Sequence, residues 1–193
     1  MTLEDQQRLG TPFARVARQE LGYNVKQVDQ FLARAHDYYS SEDTSAKALT
    51  SHGVRSVTFD PAKGGYETQT VDAALDRLED VFAKRERDRL VTESGEEAWL
   101  LQIGKISSAL RGRLHRSDGK RFRRPKRNVR SYSVVDVDRL CGDLLAYLES
   151  DKPLSVDVVR RAVFAPAQGR QGYEENQVDA FMDRAVELMA SID

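Results

Sequence analysis

The segment QGYEENQVDAFMDRA, residues 171–185, has three close counterparts in the same chain. They are LGYNVKQVDQFLARA at 21–35, GGYETQTVDAALDRL at 64–78 and RSYSVVDVDRLCGDL at 130–144. Each copy places Val-Asp five and six residues after its Tyr, and chance does not produce that spacing four times. The chain is therefore built from internal repeats. The repeat positions are Gly22, Tyr23, Val28, Asp29, Gly65, Tyr66, Val71, Asp72, Tyr132, Val137, Asp138, Gly172, Tyr173, Val178 and Asp179.

Each copy has the pattern of a tight turn followed by an amphipathic helix. Three copies carry glycine before the tyrosine, where positive φ or a close backbone approach favours it. Asn24 follows the first tyrosine as a good N-cap, with Gln27 in the capping-box position; Ser133 and Asp136 occupy the same places in the third copy. Apolar residues then recur at helical spacing, which predicts a core stripe rather than a cofactor site.

The similarity extends upstream of the tyrosines. LTSHGVRSVTF at 49–59 aligns without gaps on LSVDVVRRAVF at 154–164, and LEDQQRLGTPF at 3–13 keeps the same distance from Leu to Phe. The β-branched residues in these segments also suit short strands. We favour short helices, because a Ser or Thr after the leading Leu can cap them.

The spacing of the copies predicts two pairs. Tyr23 and Tyr66 lie about as far apart as Tyr132 and Tyr173, whereas a longer gap separates the second copy from the third. Within a pair the two long helices are expected to run parallel and to bury their stripes on each other. The gap predicts a helix break near Ser94-Gly95 and then an amphipathic connector helix.

The predicted fold class is all-α, with four helix-turn-helix repeats arranged as two pairs of short-plus-long helices. The predicted domains are 1–93 for repeats one and two, 94–118 for the connector helix, and 119–193 for repeats three and four.

Charge is unevenly distributed in a chain whose net charge is only -1. Residues 111–130 carry ten basic side chains against the single acid Asp118, which favours one local anion-contacting surface. The lone Cys141 forms no internal disulfide, and cysteine poverty favours a reducing cytoplasm. No apolar run has the length of a signal peptide or a transmembrane span, so we expect a cytoplasmic protein.

The pattern Gly-Tyr-x4-Val-Asp-x-Phe/Leu, preceded by Leu-Ser/Thr and a Phe, resembles the N-terminal domain of DivIVA. Several copies in one chain resemble the DivIVA-domain repeat proteins of actinobacteria. The resemblance covers most of the chain and is strongest at 171–184 and 21–34. It implies a parallel helical dimer module of bacterial cell division or polar growth, attached to the inner face of the membrane and continued by a long coiled coil.

Two features of this chain depart from that family. No extended heptad region follows the motif. The family's membrane-binding Phe-Arg pair before Gly-Tyr has only one approximate counterpart, Val129-Arg130. The paired copies suggest that two repeats in one chain replace the family's homodimer, although a homodimer of the whole chain stays open as a partner.

The basic segment 119–130 has three interpretations. Phe122 could insert into a lipid interface while cations meet acidic headgroups, or it could stack on a base while the cations bind nucleic-acid phosphates. Alternatively, the segment is a solvated loop whose Phe122 fills the same core slot as Phe59 and Phe164. The candidate membrane or anion contacts are Arg121, Phe122, Arg123, Arg124, Lys126, Arg127, Val129 and Arg130.

No pattern in the sequence points to catalysis. The four repeated aspartates stand alone on apolar faces, where a carboxylate complements the helix dipole and can meet Arg34, Arg77 or Arg184. The repeated tyrosines are expected to anchor the turns through hydrogen-bonded hydroxyls. We expect no cofactor, no metal and no small-molecule substrate.

The predicted function is a non-enzymatic adaptor for cell division or polar cell-wall growth. It would act through protein partners and by peripheral attachment to anionic membrane at the septum or pole. The alternative is a nucleic-acid-binding regulator using segment 111–130.

Overall fold

A computed structural model describes residues 13–40, 49–150 and 152–192 of the chain. The upstream segment predicted at 3–13 lies outside these residues except for its final Phe13. The chain divides into two compact units, Met1–Glu86 and Arg87–Asp193. Each unit holds one pair of repeats.

Helices account for most of the described residues. The first unit contains α1 (Val25–Ser40), α2 (Ser51–Arg55) and the start of α3 (Thr68–Ser94). The second unit contains the end of α3 and the helices α4 (Glu96–Leu114), α5 (Val134–Ser150), α6 (Val156–Arg160) and α7 (Glu175–Ile192). The predicted helix break is confirmed, since Gly95 separates α3 from α4 with a φ of 84°.

The predicted all-α class is wrong, because the described residues also form two small antiparallel sheets. In the first unit, β1 (Leu21–Tyr23) pairs with β2 (Pro61–Lys63). In the second, β3 (Arg130–Ser133) lies between β4 (Pro166–Gln168) and β5 (Gly172–Tyr173). The protein is a mixed helical and β fold.

The error has a physical cause. Each Tyr segment looks like a local turn, but its backbone is extended because it pairs with the sister copy. Tyr23 N–H donates to Tyr66 O and Tyr66 N–H donates to Tyr23 O, both at 2.9 Å. Tyr132 lies opposite Tyr173 in the antiparallel pairing of β3 with β5. Strand pairing between distant copies leaves no local signal in either one.

The glycines before the tyrosines allow these strands to approach each other. A Cβ at Gly22 would lie 2.2 Å from Tyr66 O, and one at Gly65 would lie 2.4 Å from Tyr23 O. In the second unit Ser131 replaces one glycine, and its side chain fills the space beside Gly172. Close approach, rather than positive φ, therefore requires glycine here.

The predicted N-caps are confirmed, but the reciprocal capping boxes are wrong. Asn24 Oδ1 accepts from Gln27 N at 3.3 Å, and Ser133 Oγ accepts from Asp136 N at 3.4 Å. The Gln27 side chain instead accepts from Asp60 N at 2.7 Å. These capping-box side chains bind the backbone that follows the sister copy's Phe, as Asp136 does at Ala165 N.

The upstream segments form the predicted short helices α2 and α6, and side chains cap both. Thr50 Oγ1 accepts from Gly53 N at 3.0 Å, and Ser155 Oγ accepts from Asp157 N at 3.3 Å. Each helix covers only five residues before the chain becomes irregular, so the β-branched residues that follow are not helical.

In the first unit the long helices run parallel, as predicted. Val28 near the start of α1 clusters with Val71 near the start of α3. Further along, Tyr38 stacks on Phe82 with ring centroids 5.8 Å apart. In the second unit, α4 packs against both α5 and α7, and its Leu110 and Leu114 belong to that unit's core. The connector helix is therefore part of the second unit.

Candidate functional site

The repeated tyrosines and aspartates bond across the two copies of each unit. The Tyr66 hydroxyl donates to Asp29 at 3.0 Å, and the Tyr173 hydroxyl donates to Asp138 at 3.1 Å. The reverse pairs, Tyr23 with Asp72 and Tyr132 with Asp179, are also hydrogen-bonded. The predicted role of the tyrosines as hydrogen-bonded anchors is thus confirmed. The partner shared by all four aspartates is the sister copy's tyrosine, which corrects the expected arginine partners.

Burial raises the pKa of each tyrosine hydroxyl, and the facing carboxylate adds to the effect. Among these tyrosines the effect is strongest at Tyr173, whose pKa is raised to about 12. Each hydroxyl therefore stays protonated at neutral pH and serves as a structural donor.

Phenylalanines are exchanged between copies in the same reciprocal way. Phe122 contacts the ring of Tyr173 edge-on, with centroids 5.2 Å apart, as Phe13 contacts Tyr66 at 5.4 Å. Phe164 contacts Tyr132 at 5.3 Å. Phe122 is only 5% exposed, so it occupies the repeated core slot and reaches neither a lipid interface nor a base.

Arg121 is also part of the interior. Its guanidinium forms an ion pair with Asp138 at 2.9 Å and donates to Leu114 O at 3.2 Å. Gly119 N–H donates to the same carboxylate at 2.6 Å. The start of the basic segment is therefore fixed to α5 by a buried charge pair.

Arg124 holds the next part of the segment. Its guanidinium lies 4.8 Å from the Tyr173 ring centroid. It also donates to the carbonyls of Gly119, Arg170 and Gln171 at 2.9 to 3.4 Å. Arg121, Phe122 and Arg124 thus support the loop and do not form its outer surface.

The remaining predicted contacts are exposed. Arg123 pairs with Glu174 at 3.7 Å, and Arg130 lies 4.0 Å from Glu175. Lys126 and Arg127 make no ion pair with the residues that the structure describes. Val129 is 48% exposed between these cations. The structure therefore separates the predicted set into three buried or half-buried supports and five surface residues.

A groove between α4 and α7, both in the second unit, was not predicted from the sequence. Its volume is about 1020 Å³. Leu101, Ile106 and Phe181 provide apolar lining, and Ala109 and Ala180 leave room for a ligand. A signal was available in the sequence, because Leu101 lies outside the connector's predicted apolar face, residues 99, 100, 103, 106 and 110. In the structure Leu101 is 59% exposed.

Neither a metal centre nor a reactive thiol is evident in the described ranges. No group of three or more His, Cys, Asp or Glu side chains there could hold a metal ion. Cys141 is buried, and burial raises the pKa of its thiol to about 12, so little of it is thiolate at neutral pH.

Comparison with protein-family models, with curated proteins and with solved structures gave no match. None of the helices in the described ranges combines the length and apolar character needed to cross a bilayer.

Proposed function

We propose that this protein is a non-enzymatic adaptor of bacterial cell division or polar cell-wall growth, which holds a protein partner in the groove between α4 and α7. The groove is the observation that carries the proposal. The resemblance of the repeats to DivIVA domains supplies the cellular setting. That setting is the cytoplasm, at the septum or pole.

The shape of the groove suits a helix. Two neighbouring helices form its walls, and alanines 98, 109 and 180 contribute small side chains to its lining. An amphipathic helix binds such grooves by inserting apolar residues at i, i+3, i+4 and i+7. Exposed Leu101 and the more enclosed Ile106 and Phe181 provide apolar surface for those residues.

The charge of the groove favours an acidic partner. Lys105, Arg113 and Arg184 are in its lining, and no carboxylate of the described residues is. Arg184 pairs with Glu187, whereas Lys105 makes no ion pair within the described part of the chain. An amphipathic helix with acidic residues flanking its apolar face would complement both the cations and the apolar lining of the groove.

Site-specific crosslinking in the native cell tests this proposal. A photoreactive amino acid at Leu101 should give a discrete protein adduct, whereas the same amino acid at Val163, which is 93% exposed in the same unit, should not. Ala180→Trp, which fills the groove, should abolish the adduct. Mass spectrometry should place the crosslink in an acidic amphipathic segment. Identical adducts from both positions, or an adduct unaffected by Ala180→Trp, would refute the proposal.

Peripheral attachment to anionic membrane is a second candidate, favoured by the exposure of Val129 between Arg127 and Arg130. Because Phe122 is buried, the apolar contact with the membrane in this candidate is made by Val129 instead. Sedimentation with anionic liposomes, beside a duplex-DNA shift assay at matched salt, distinguishes lipid from nucleic acid. Val129→Ser removes the apolar contact without changing the charge, so it should weaken liposome binding and leave any DNA binding less affected; equal losses would favour the nucleic-acid alternative.

A further inference from the structure

A basic pocket lies where the loop before β3 meets the loop between β4 and β5. Its volume is about 670 Å³, and it is separate from the groove. Four cations line it: Arg124, Lys126, Arg127 and Arg170. The rest of its polar lining is formed by side-chain amides, and no carboxylate of a described residue contributes.

Close backbone packing builds this pocket. Gly169 N–H donates to Val129 O at 2.9 Å, which joins the two loops. Gly169 has a φ of 53°, and a Cβ there would lie 3.3 Å from Arg127 Cα. Asn128 also adopts a left-handed conformation, with a φ of 66°. The bonds from Arg124 to the Arg170 and Gln171 carbonyls add a second link between the loops.

The charges of the pocket are not compensated within the described chain. Lys126, Arg127 and Arg170 form no ion pair there, although nearby Arg123 and Arg130 each face a glutamate. The chain as a whole carries 31 acidic and 30 basic residues, so the positive charge of this pocket is a local excess in a nearly neutral protein. Like charges held close together repel, and a bound anion relieves that repulsion.

The first unit provides an internal comparison, because 13–23 aligns without gaps on 122–132. Ala17 occupies the position of Lys126, and Glu20 occupies that of Val129. Gly64 and Gly65 are adjacent there, whereas Arg170 and Gln171 separate Gly169 from Gly172. Arg15 and Arg18 correspond to Arg124 and Arg127, so both units share these two arginines. Lys126 and the inserted Arg170 have no basic counterpart in the first unit, and these two cations distinguish the pocket of the second unit.

We propose that this pocket binds a phosphomonoester group carried by a soluble ligand. Guanidinium groups bind phosphate oxygens through paired hydrogen bonds, Lys126 adds a point charge, and the Asn128 and Gln168 amides can donate to remaining oxygens. A monoester carries close to two negative charges at neutral pH, which matches several uncompensated cations. The concave form accepts a single group, whereas a bilayer would contact the exposed loop tip.

Calorimetry with phenyl phosphate tests the proposal in the full-length protein. Wild type should bind, and the Arg127→Gln/Arg170→Gln variant should bind about tenfold more weakly or worse. The matched control is Arg18→Gln/Lys63→Gln at the corresponding surface of the first unit, which should leave binding unchanged. Both variants change exposed side chains, and equal thermal midpoints would show that they fold.

Two further binding measurements, with phenyl sulfate and with lipid vesicles, identify the charge and the source of the bound anion. Phenyl sulfate, with a single charge, should bind more weakly than phenyl phosphate. Vesicles of phosphatidic acid present the same monoester on a surface, and phosphatidylglycerol vesicles present a diester. Three results would overturn the proposal: absence of phenyl phosphate binding, an equal loss of binding in the first-unit control, or binding to vesicles alone. The last result would instead support membrane attachment, and none of these outcomes bears on the groove.

Discussion

The two units share the Tyr–Asp exchange but bury it to different depths. In the first unit Asp29 is exposed and the Tyr66 hydroxyl is its hydrogen-bond donor. In the second unit Asp138 is 8% exposed and receives bonds from Tyr173, Arg121 and the backbone of Gly119. The repeated aspartate thus makes an exposed hydrogen bond in the first unit and lies at the centre of a buried polar network in the second.

The other buried charge pair shows the opposite asymmetry. Arg55 of α2 pairs with Glu79 of α3, which is 2% exposed, and its Nε lies 2.9 Å from Glu79 Oε1. In the second unit the corresponding residues are Arg160 and Val186, and Arg160 pairs with Asp157 of its own short helix. The two repeats therefore keep an interior arginine at the same position but pair it with carboxylates at different positions.

The sharpest test of this contrast is to remove the repeated aspartate from each unit. Asp138→Ala should cost about 3 kcal/mol of unfolding free energy, because it removes the buried acceptor of Gly119 N–H and the Tyr173 hydroxyl and leaves the exposed Asp118 as the remaining ion-pair partner of Arg121. Asp29→Ala should cost only about 1 kcal/mol, the value of one partly exposed hydrogen bond. Urea unfolding followed by Trp99 fluorescence reports the second unit, and peptide-resolved hydrogen exchange reports the first. Equal costs would show that the difference in burial has no energetic weight.

A smaller loss is expected from Glu79→Gln. The amide keeps one acceptor for Arg55 but removes the charge, so the first unit should lose about 2 kcal/mol. Hydrogen exchange should accelerate in α2 and the first part of α3. Val186→Gln at the corresponding buried position of the second unit is the comparison variant, and its effect should be confined to the second unit and leave exchange in α2 unchanged. Unchanged exchange in α2 would contradict the stabilising role of the pair.

Alkaline pH should affect the second unit through Tyr173. Burial raises the pKa of this hydroxyl to about 12 from an ordinary 10.0. The unfolded chain therefore loses this proton first, so the contribution of the neutral hydroxyl is complete below pH 10 and is lost as the pH rises toward 12. Stability measured across this range should fall less steeply in Tyr173→Phe. An identical slope in both proteins would exclude this hydroxyl as the cause.

The smallest effect is expected at a glycine that lies outside the repeats and has room for a side chain. Gly104 lies inside α4, and a Cβ there would meet nothing within 4 Å. Gly104→Ala should stabilise the second unit by about 0.5–1 kcal/mol, through helix propensity alone. Gly22→Ala, which would place a Cβ against Tyr66 O, should destabilise the first unit instead. Thermal unfolding of both variants checks the sign; stabilisation by both would contradict the close strand approach.

Much of the fold could be predicted from the repeat pattern. The helices after each tyrosine, the Asn24 and Ser133 caps, the short upstream helices and the break at Gly95 all follow from interactions within a few residues. Such interactions leave a local pattern of spacing and residue type. The anchoring role of the tyrosines was also predicted, because a partly buried hydroxyl needs an acceptor.

The strands, the partners and the division of the basic segment came only from the tertiary structure. Whether Tyr23 begins a turn or a strand depends on Tyr66, and the tyrosine that bonds Asp138 belongs to the sister copy. Arg121 and Arg127 belong to the same basic run, yet one is buried against Asp138 and the other is exposed. The sequence determined which segments repeat and which are helical. The structure decided how paired copies complete each other, because contacts between distant residues leave no periodicity in either segment.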